Sequence, residues 1–244
     1  VVFIPNDIFN EDDQNILFFH RWANIIHIKT KQITLTNESA FFLNKCNKNQ
    51  DDLAELERHL RNQKYLRDAK VTSDLTIKNI KVETWDTWSL MPTVSFGRKG
   101  GVNTYSFGIK DRNLLGLGID TQIESFTNAQ RSGYQFESRI PLYQKKNTEL
   151  SMVFSDNNDG QKREVFITKS FAGFYTPYAY TIGFNKESRS DTIFQNGGTQ
   201  TIFKHNINYR TVSYAWTSIN NPEYNLRYRI GVSKEQDRFN TSTA

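Results

Sequence analysis

Between about Trp88 and Val232 the chain is a succession of short runs in which apolar and polar residues alternate. Tyr105, Phe107 and Ile109 alternate with Ser106, Gly108 and Lys110, and Leu115, Leu117, Ile119 and Ile123 with Gly116, Gly118, Asp120, Gln122 and Glu124. Leu226, Tyr228, Ile230 and Val232 do the same with Asn225, Arg227, Arg229 and Gly231. Successive side chains of a strand point to opposite faces, so each run has one apolar and one polar face. The runs predict about ten strands, near 88–97, 102–111, 115–126, 133–144, 148–156, 162–171, 177–186, 191–203, 206–217 and 224–234. Turn formers separate them, among them Gly100-Gly101, Asn113, Asn128, Asn147, Asn157-Asn158-Asp159-Gly160 and Asn220-Asn221-Pro222. With so little room for helices between strands, the expectation is an antiparallel meander. Its apolar face is the core of a soluble sandwich or the lipid face of a membrane barrel; the pattern alone leaves both open.

The first 88 residues read differently. Val1–Phe9 predicts a short strand interrupted at Pro5-Asn6. Ile16, Leu17, Trp22, Ile25 and Ile26 predict a helix over 12–27 behind the acidic cluster Glu11, Asp12 and Asp13. A second helix is expected within Thr30–Leu43. A third starts at Asp51, with Leu53, Leu56 and Leu60 on one face and Arg58, Arg61 and Lys64 at its C-terminal end. Two strands, about Ala69–Leu75 and Ile77–Trp85, complete a strand, helices, strand, strand unit.

Composition sharpens this division. All 13 glycines of the 244-residue chain and ten of its 11 tyrosines lie after residue 88. Residues 1–88 hold 12 Lys and Arg against 13 Asp and Glu, which leaves 19 against 13 for the remainder. That basic excess is scattered singly, without the blocks that nucleic-acid binding favours, and no nucleic-acid partner is expected. The mean hydropathy is −0.64. No apolar run reaches the roughly 18 residues of a spanning helix, a test to which β-barrels are blind.

Candidate chemistry is sparse. The single Cys46 has no disulfide partner, and His20, His27, His59 and His205 are scattered. No nucleophile elbow, His-Glu-x-x-His helix or paired-cysteine site occurs, and no helix follows Gly97–Gly101 or Gly116–Gly118 to make a phosphate loop. The expectation is a protein without enzymatic activity, cofactor or metal.

The stretch Asp52–Asn62 followed by Tyr65-Leu66-Arg67-Asp68-Ala69-Lys70-Val71 resembles the end of a POTRA domain, in which a helix leads into an outer strand and a last strand enters a membrane barrel. Trp22-Ala23-Asn24 with His27 and Thr30 is similar to bacterial surface antigens of the BamA/TamA superfamily. So are Trp88–Phe96, Tyr105–Ile109 and Asn113–Gly118, in the manner of the first barrel strands. The resemblance implies an α+β POTRA-like periplasmic domain over 1–87. It implies an all-β antiparallel part of an outer-membrane β-barrel over 88–244. The chain has fewer strands than such a barrel, Arg131-Ser132-Gly133-Tyr134 does not match the superfamily's lid motif, and Asn240–Ala244 lacks a closing-strand pattern. A C-terminally truncated piece is therefore expected.

By the same resemblance, the function is insertion of proteins into the outer membrane, or polypeptide transport across it. Partners would be outer-membrane lipid, extended client polypeptides and accessory lipoproteins. Lys70, Val71, Thr72, Ser73, Asp74 and Leu75 would form an edge that captures a client by strand addition. Leu90, Pro92, Val94 and Phe96 would lie on the strand at the barrel seam, where proline is tolerated. Glu124, Glu137, Arg139, Arg227 and Arg229 fall on polar faces and would line the lumen, as an ion-pair network or a selectivity filter. Tyr134, Phe136, Tyr178, Tyr180, Tyr214 and Trp216 would form girdles. The rivals are a passive channel or structural barrel without clients and a soluble all-β binding or hydrolytic protein.

Overall fold

A computed structural model describes residues 1–9, 17–18, 24–25, 27–43, 50–74, 79–99, 101–142, 147–171, 176–194, 200–220 and 224–241. The helix expected over 12–27 falls mainly outside these residues. The elements described are β1 (Val2–Asn6), α1 (Gln32–Leu43), α2 (Gln50–Arg61), β2 (Leu66–Asp74), β3 (Asn79–Asp86) and nine further strands. Those nine are β4 (Leu90–Lys99), β5 (Val102–Leu114), β6 (Ile119–Thr127), β7 (Ser132–Pro141), β8 (Thr148–Asn157), β9 (Gly160–Lys169), β10 (Tyr178–Phe194), β11 (Gln200–Asn220) and β12 (Asn225–Thr241).

The chain forms two units. The first comprises Val1–Met91 together with Asp111–Asp120. In it α2 carries Asp51 and Asp52 in its first turn and Arg58, His59 and Arg61 in its last, charges that suit the helix dipole at both ends. Leu56 and Leu60 point from α2 into a core shared with Leu35 and Phe42 of α1 and with Leu66, Ala69, Ile80 and Val82 of the sheet. That sheet has the order β1-β3-β2, with β1 parallel and β2 antiparallel to β3. Along β3 every second residue is buried: Ile80, Val82, Thr84 and Asp86.

The last of these, Asp86, is a carboxylate at an apolar strand position, and it holds the unit's polar interior. Its Oδ2 accepts the Thr30 backbone N–H at 2.7 Å and lies 2.9 Å from His27 Nε2. Thr30 Oγ1 accepts from Asn113 Nδ2 at 2.8 Å, and Asn113 Oδ1 accepts the Gly118 N–H at 2.7 Å. The turn after β5 is thereby fixed to α1: Gly116 O accepts from Lys31 N–H and from Thr34 Oγ1, each at 2.9 Å. Gly116 has φ +73°, and a Cβ there would lie 2.4 Å from Lys29 O, so this position admits only glycine.

The second unit, Pro92–Lys110 with Thr121–Ala244, contains most of a nine-stranded sheet in which every strand pairs with its sequence neighbour, from β4 at one end to β12 at the other. This is the antiparallel meander that the alternation predicts, with nine strands where about ten were expected. The three runs expected at 177–186, 191–203 and 206–217 are two long strands, β10 and β11, paired without a break from Tyr178↔Trp216 to Phe194↔Gln200. The break expected at 187–190, where neither face is apolar, is strand nonetheless, held by a full ladder on β11. Among the described residues no helix is long and apolar enough to cross a membrane.

Removing the Asp86 carboxylate leaves the Thr30 N–H and the His27 ring buried without their acceptor. Asp86→Ala is expected to destabilise the first unit by about 2–4 kcal/mol. Urea unfolding followed by tryptophan fluorescence measures this, and an unchanged midpoint would remove Asp86 from its place in the fold.

Candidate functional site: a two-faced sheet and a capped strand edge

Register assigns every residue of β7–β12 to one of two faces. Tyr178, Tyr180, Ile182 and Phe184 of β10 share a face with Val212, Tyr214 and Trp216 of β11 and with Tyr228, Ile230 and Val232 of β12. On the opposite face stand Ala179, Thr181, Gly183 and Asn185, then Thr211, Ser213 and Ala215, then Arg229, Gly231 and Ser233. Burial runs opposite to that of a soluble sheet. Ile182 and Val212 are 49% and 56% exposed, whereas Ala179 and Ala215 on the other face are 4% and 3% exposed. Tyr105, Phe107 and Ile109 of β5 are likewise exposed, while Gly108 between them is buried beside Glu124.

Aromatic rings cluster on the exposed face. Tyr178 and Tyr214 stack with centroids 6.1 Å apart, Trp216 lies 6.2 Å from Tyr214, and Tyr228 lies 5.7 Å from Trp216. Phe136 and Phe154 pair at 6.3 Å on β7 and β8. The apolar stripe on β12 runs from Leu226 to Val232, roughly 20 Å at about 3.4 Å per residue.

The polar face carries the chemistry. Glu124 accepts from Gln122 Nε2 at 3.0 Å and Glu137 from Gln135 Nε2 at 2.7 Å. Arg139 stands opposite Ser151 and Arg229 opposite Ala215, and the Arg227 guanidinium lies 4.1 Å from the Phe171 ring centroid. All five residues expected in the lumen share this face, but they are spread across it. The ion-pair network on it is built from other residues. Arg131 lies 3.3 Å from Asp159 and 3.1 Å from Asp191, and Arg189 bridges Glu187 and Asp191, each at 3.1 Å. His205 Nδ1 lies 3.3 Å from Asp191, and its ring stacks on Phe239 at 4.2 Å. The period-two charges Glu187, Arg189 and Asp191 are the sequence signal that could have found this network. Among the described residues no three His, Cys, Asp or Glu side chains are grouped to hold a metal.

Of the residues expected at the seam, Leu90, Pro92, Val94 and Phe96 lie on β4, which ends the nine-stranded sheet. All four are exposed.

Lys70, Val71, Thr72, Ser73 and Asp74 lie on β2, the outer strand of the first unit's sheet, and Leu75 is outside the described residues. A groove of about 550 Å³ runs between this edge and α2, lined by Leu53, Glu57, Arg61, Val71 and Ser73 among others. Side chains of α2 cap part of the edge. Val71 N–H donates to Glu57 Oε2 at 2.9 Å, and Arg61 Nε donates to Ala69 O at 3.0 Å and to Asp68 Oδ1 at 2.7 Å. Arg61 Nη1 also lies 3.0 Å from Glu57 Oε1, which closes the cap. The Ala69 N–H and then the Arg61 guanidinium hold the Asp68 carboxyl below the usual carboxylate range.

No protein-family model and no curated protein matches the chain. Among solved structures it is similar to the crystal structure of BamA from Haemophilus ducreyi lacking POTRA domains 1-3, with a TM-score of 0.43 and 11% sequence identity. That match covers 86% of this chain and 53% of the other, so the chain spans about half the length of that structure.

Because the folded value of Asp68 is depressed, its contribution to the cap is present above the ordinary carboxylate value and is lost as the pH falls through the folded value. Hydrogen-exchange protection at the Ala69 amide is expected to drop in that acid window. Glu57→Ala is expected to lower protection at Val71 at neutral pH by severalfold while Val82 in the core keeps its own. Equal protection at Val71 with and without Glu57 would show that the cap does not hold this edge.

Proposed function

We propose that the nine-stranded sheet is the wall of an outer-membrane β-barrel, its exposed apolar face turned to lipid and its polar face to a wet interior. The reversed burial of the two faces carries this reading. A soluble sandwich packs its apolar faces together and leaves the polar ones in water. On β5, β10 and β11 it is the apolar rows that stand free and the opposite rows that are crowded. Tyr178, Trp216 and Tyr228, in line toward one end of the apolar rows, suit a membrane interface, where ring and polar group each find their own medium, while Tyr214 lies further into the band. Lipid tolerates no unpaired strand edge, so the proposal requires partners for β4 and β12. Tyr214→Arg on the apolar face is expected to cost about 2–4 kcal/mol of folding into lipid vesicles, against about 1 or less for Ser213→Arg on the opposite face. Urea titration of the vesicle-inserted protein reads both, and equal tolerance at the two positions would overturn the assignment.

Within that setting the proposed role is the handling of extended polypeptides in membrane insertion or transport, with the first unit in the periplasm as a POTRA-like domain. Its β2 edge supports this. A groove runs beside it, and among the described residues the groups that cap it are two side chains, which can swing away, whereas a covering strand or loop could not. Strand addition uses main-chain hydrogen bonds and accepts many sequences, so the role needs neither a catalytic residue nor a cofactor. The same cap favours a second reading, a passive outer-membrane channel whose first unit takes no client. A photo-crosslinker at position 73 with an unfolded outer-membrane polypeptide as probe separates the two. Client handling predicts crosslinks that rise severalfold in Glu57→Ala/Arg61→Ala, and absence of crosslinks in both proteins would leave the channel.

A further inference from the structure

On the exposed face of β9–β12, just past the apolar band, the register sets cations directly against cations. Arg163 stands opposite Lys186, and Arg210 opposite Lys234. Side chains directly opposite on neighbouring strands are about 5 Å apart at Cβ, and like charges so placed destabilise the pair. Among the described residues none of these four makes an ion pair. Arg163 donates to Gln161, and the nearest acid on this face, Asp156 of β8, accepts from the same Gln161. In a fold that neutralises Arg131 and Arg189 with three carboxylates on the other face, this row lacks its anion.

Beside the row is a groove of about 620 Å³ floored by Ile182, Phe184, Val212 and Val232, with Lys186, Arg210 and Lys234 at its end. Ile182, Val212 and Val232 lie in one line across three strands, and Phe184, Arg210 and Lys234 form the next line. An apolar trough closed at one end by three cations matches an amphiphile with a hydrocarbon chain and a phosphate head. A guanidinium grips phosphate oxygens in a bidentate fork, and two ammonium groups add point charges.

We propose that this groove is a binding site for a phosphate-bearing anionic lipid. One acyl chain lies over Ile182, Phe184, Val212 and Val232, and the headgroup phosphate sits among Lys186, Arg210 and Lys234. The site rests on the membrane reading, since it lies on the face assigned to lipid. It gives this cross-strand repulsion a structural purpose, because the bound phosphate turns it into attraction. Bound lipid would also tie β10, β11 and β12 together on the side where β12 has no strand partner among the described residues.

The test titrates the detergent-solubilised full chain with phosphatidylglycerol, or with phosphatidylcholine of the same acyl chains, and counts retained lipid by native mass spectrometry. The wild type is expected to retain phosphatidylglycerol at concentrations on the order of a hundredfold lower, at roughly fivefold per cation. Lys186→Ala/Arg210→Ala/Lys234→Ala is expected to abolish the preference. Val212→Trp, which fills the groove and keeps every charge, is expected to weaken phosphatidylglycerol at least tenfold. Heat-modifiable gel mobility establishes that each variant is folded. Equal retention of the two lipids, an unaltered preference in either variant, or displacement of the lipid by inorganic phosphate alone would overturn the site while leaving the membrane reading intact. A chain that stays monodisperse in buffer without detergent would overturn both.

Discussion

The structure depends on the period-two geometry of a single continuous ladder. Once β10, β11 and β12 are paired in register, every apolar residue between Tyr178 and Val232 is committed to a face, and a slip of one residue would exchange the two faces entirely. The registers of β7 through β12 agree, so the commitment made at one hairpin holds across six strands. What makes this informative is the mismatch between chemistry and exposure. Polar side chains crowd one face, where Arg131, Arg189, Asp191 and their neighbours pair among themselves, while isoleucine, valine and phenylalanine stand open on the other. Water penalises that arrangement and lipid rewards it.

Much of this was legible in the residue pattern, because alternation over runs such as Tyr105–Ile109 and Leu226–Val232 is a direct record of the two faces. The alternation failed where β10 and β11 extend past the apolar band. There Asn185–Asp191 is polar on both faces, and a strand flanked by a polar medium on each side has no periodic signal to read. The ion-pair network of Arg131, Asp159, Glu187, Arg189, Asp191 and His205 was hidden for the same reason, together with the long sequence separations between its members. Exposure, the quantity that favours lipid over a sandwich, cannot be seen in a pattern that both architectures share.

In the first unit α2 followed from its charges and apolar spacing, and the outer strand beside it from the resemblance. The cap on that edge did not. Glu57 and Arg61 belong to a recognisable helical stretch, yet their bonds to the backbone of Val71 and Ala69 depend on how α2 packs over β2 through Leu56 and Leu60. Asp86 was equally silent, an acid at the end of a strand whose burial only the sheet order reveals. Around it His27, Thr30 and the Asn113–Gly118 turn, far apart in the chain, share one line of hydrogen bonds. A buried carboxylate bonded to two defined neighbours sets the geometry of its surroundings more strictly than an apolar residue of the same size, because each bond has a direction.

The central claim is that the apolar face of the sheet meets hydrocarbon and the polar face meets water, and adjacent residues of one strand test it most directly. Nitroxide labels at positions 181 and 182, in a background with Cys46→Ser, would be read by spin resonance in lipid vesicles for collision with oxygen and with a water-soluble nickel chelate. The account predicts that the label at 182 collides mainly with oxygen, the label at 181 mainly with the nickel chelate, and that this alternation continues along β10 to position 184. Labels at both positions accessible to the nickel chelate, or shielded from both reagents as in a soluble core, would contradict it.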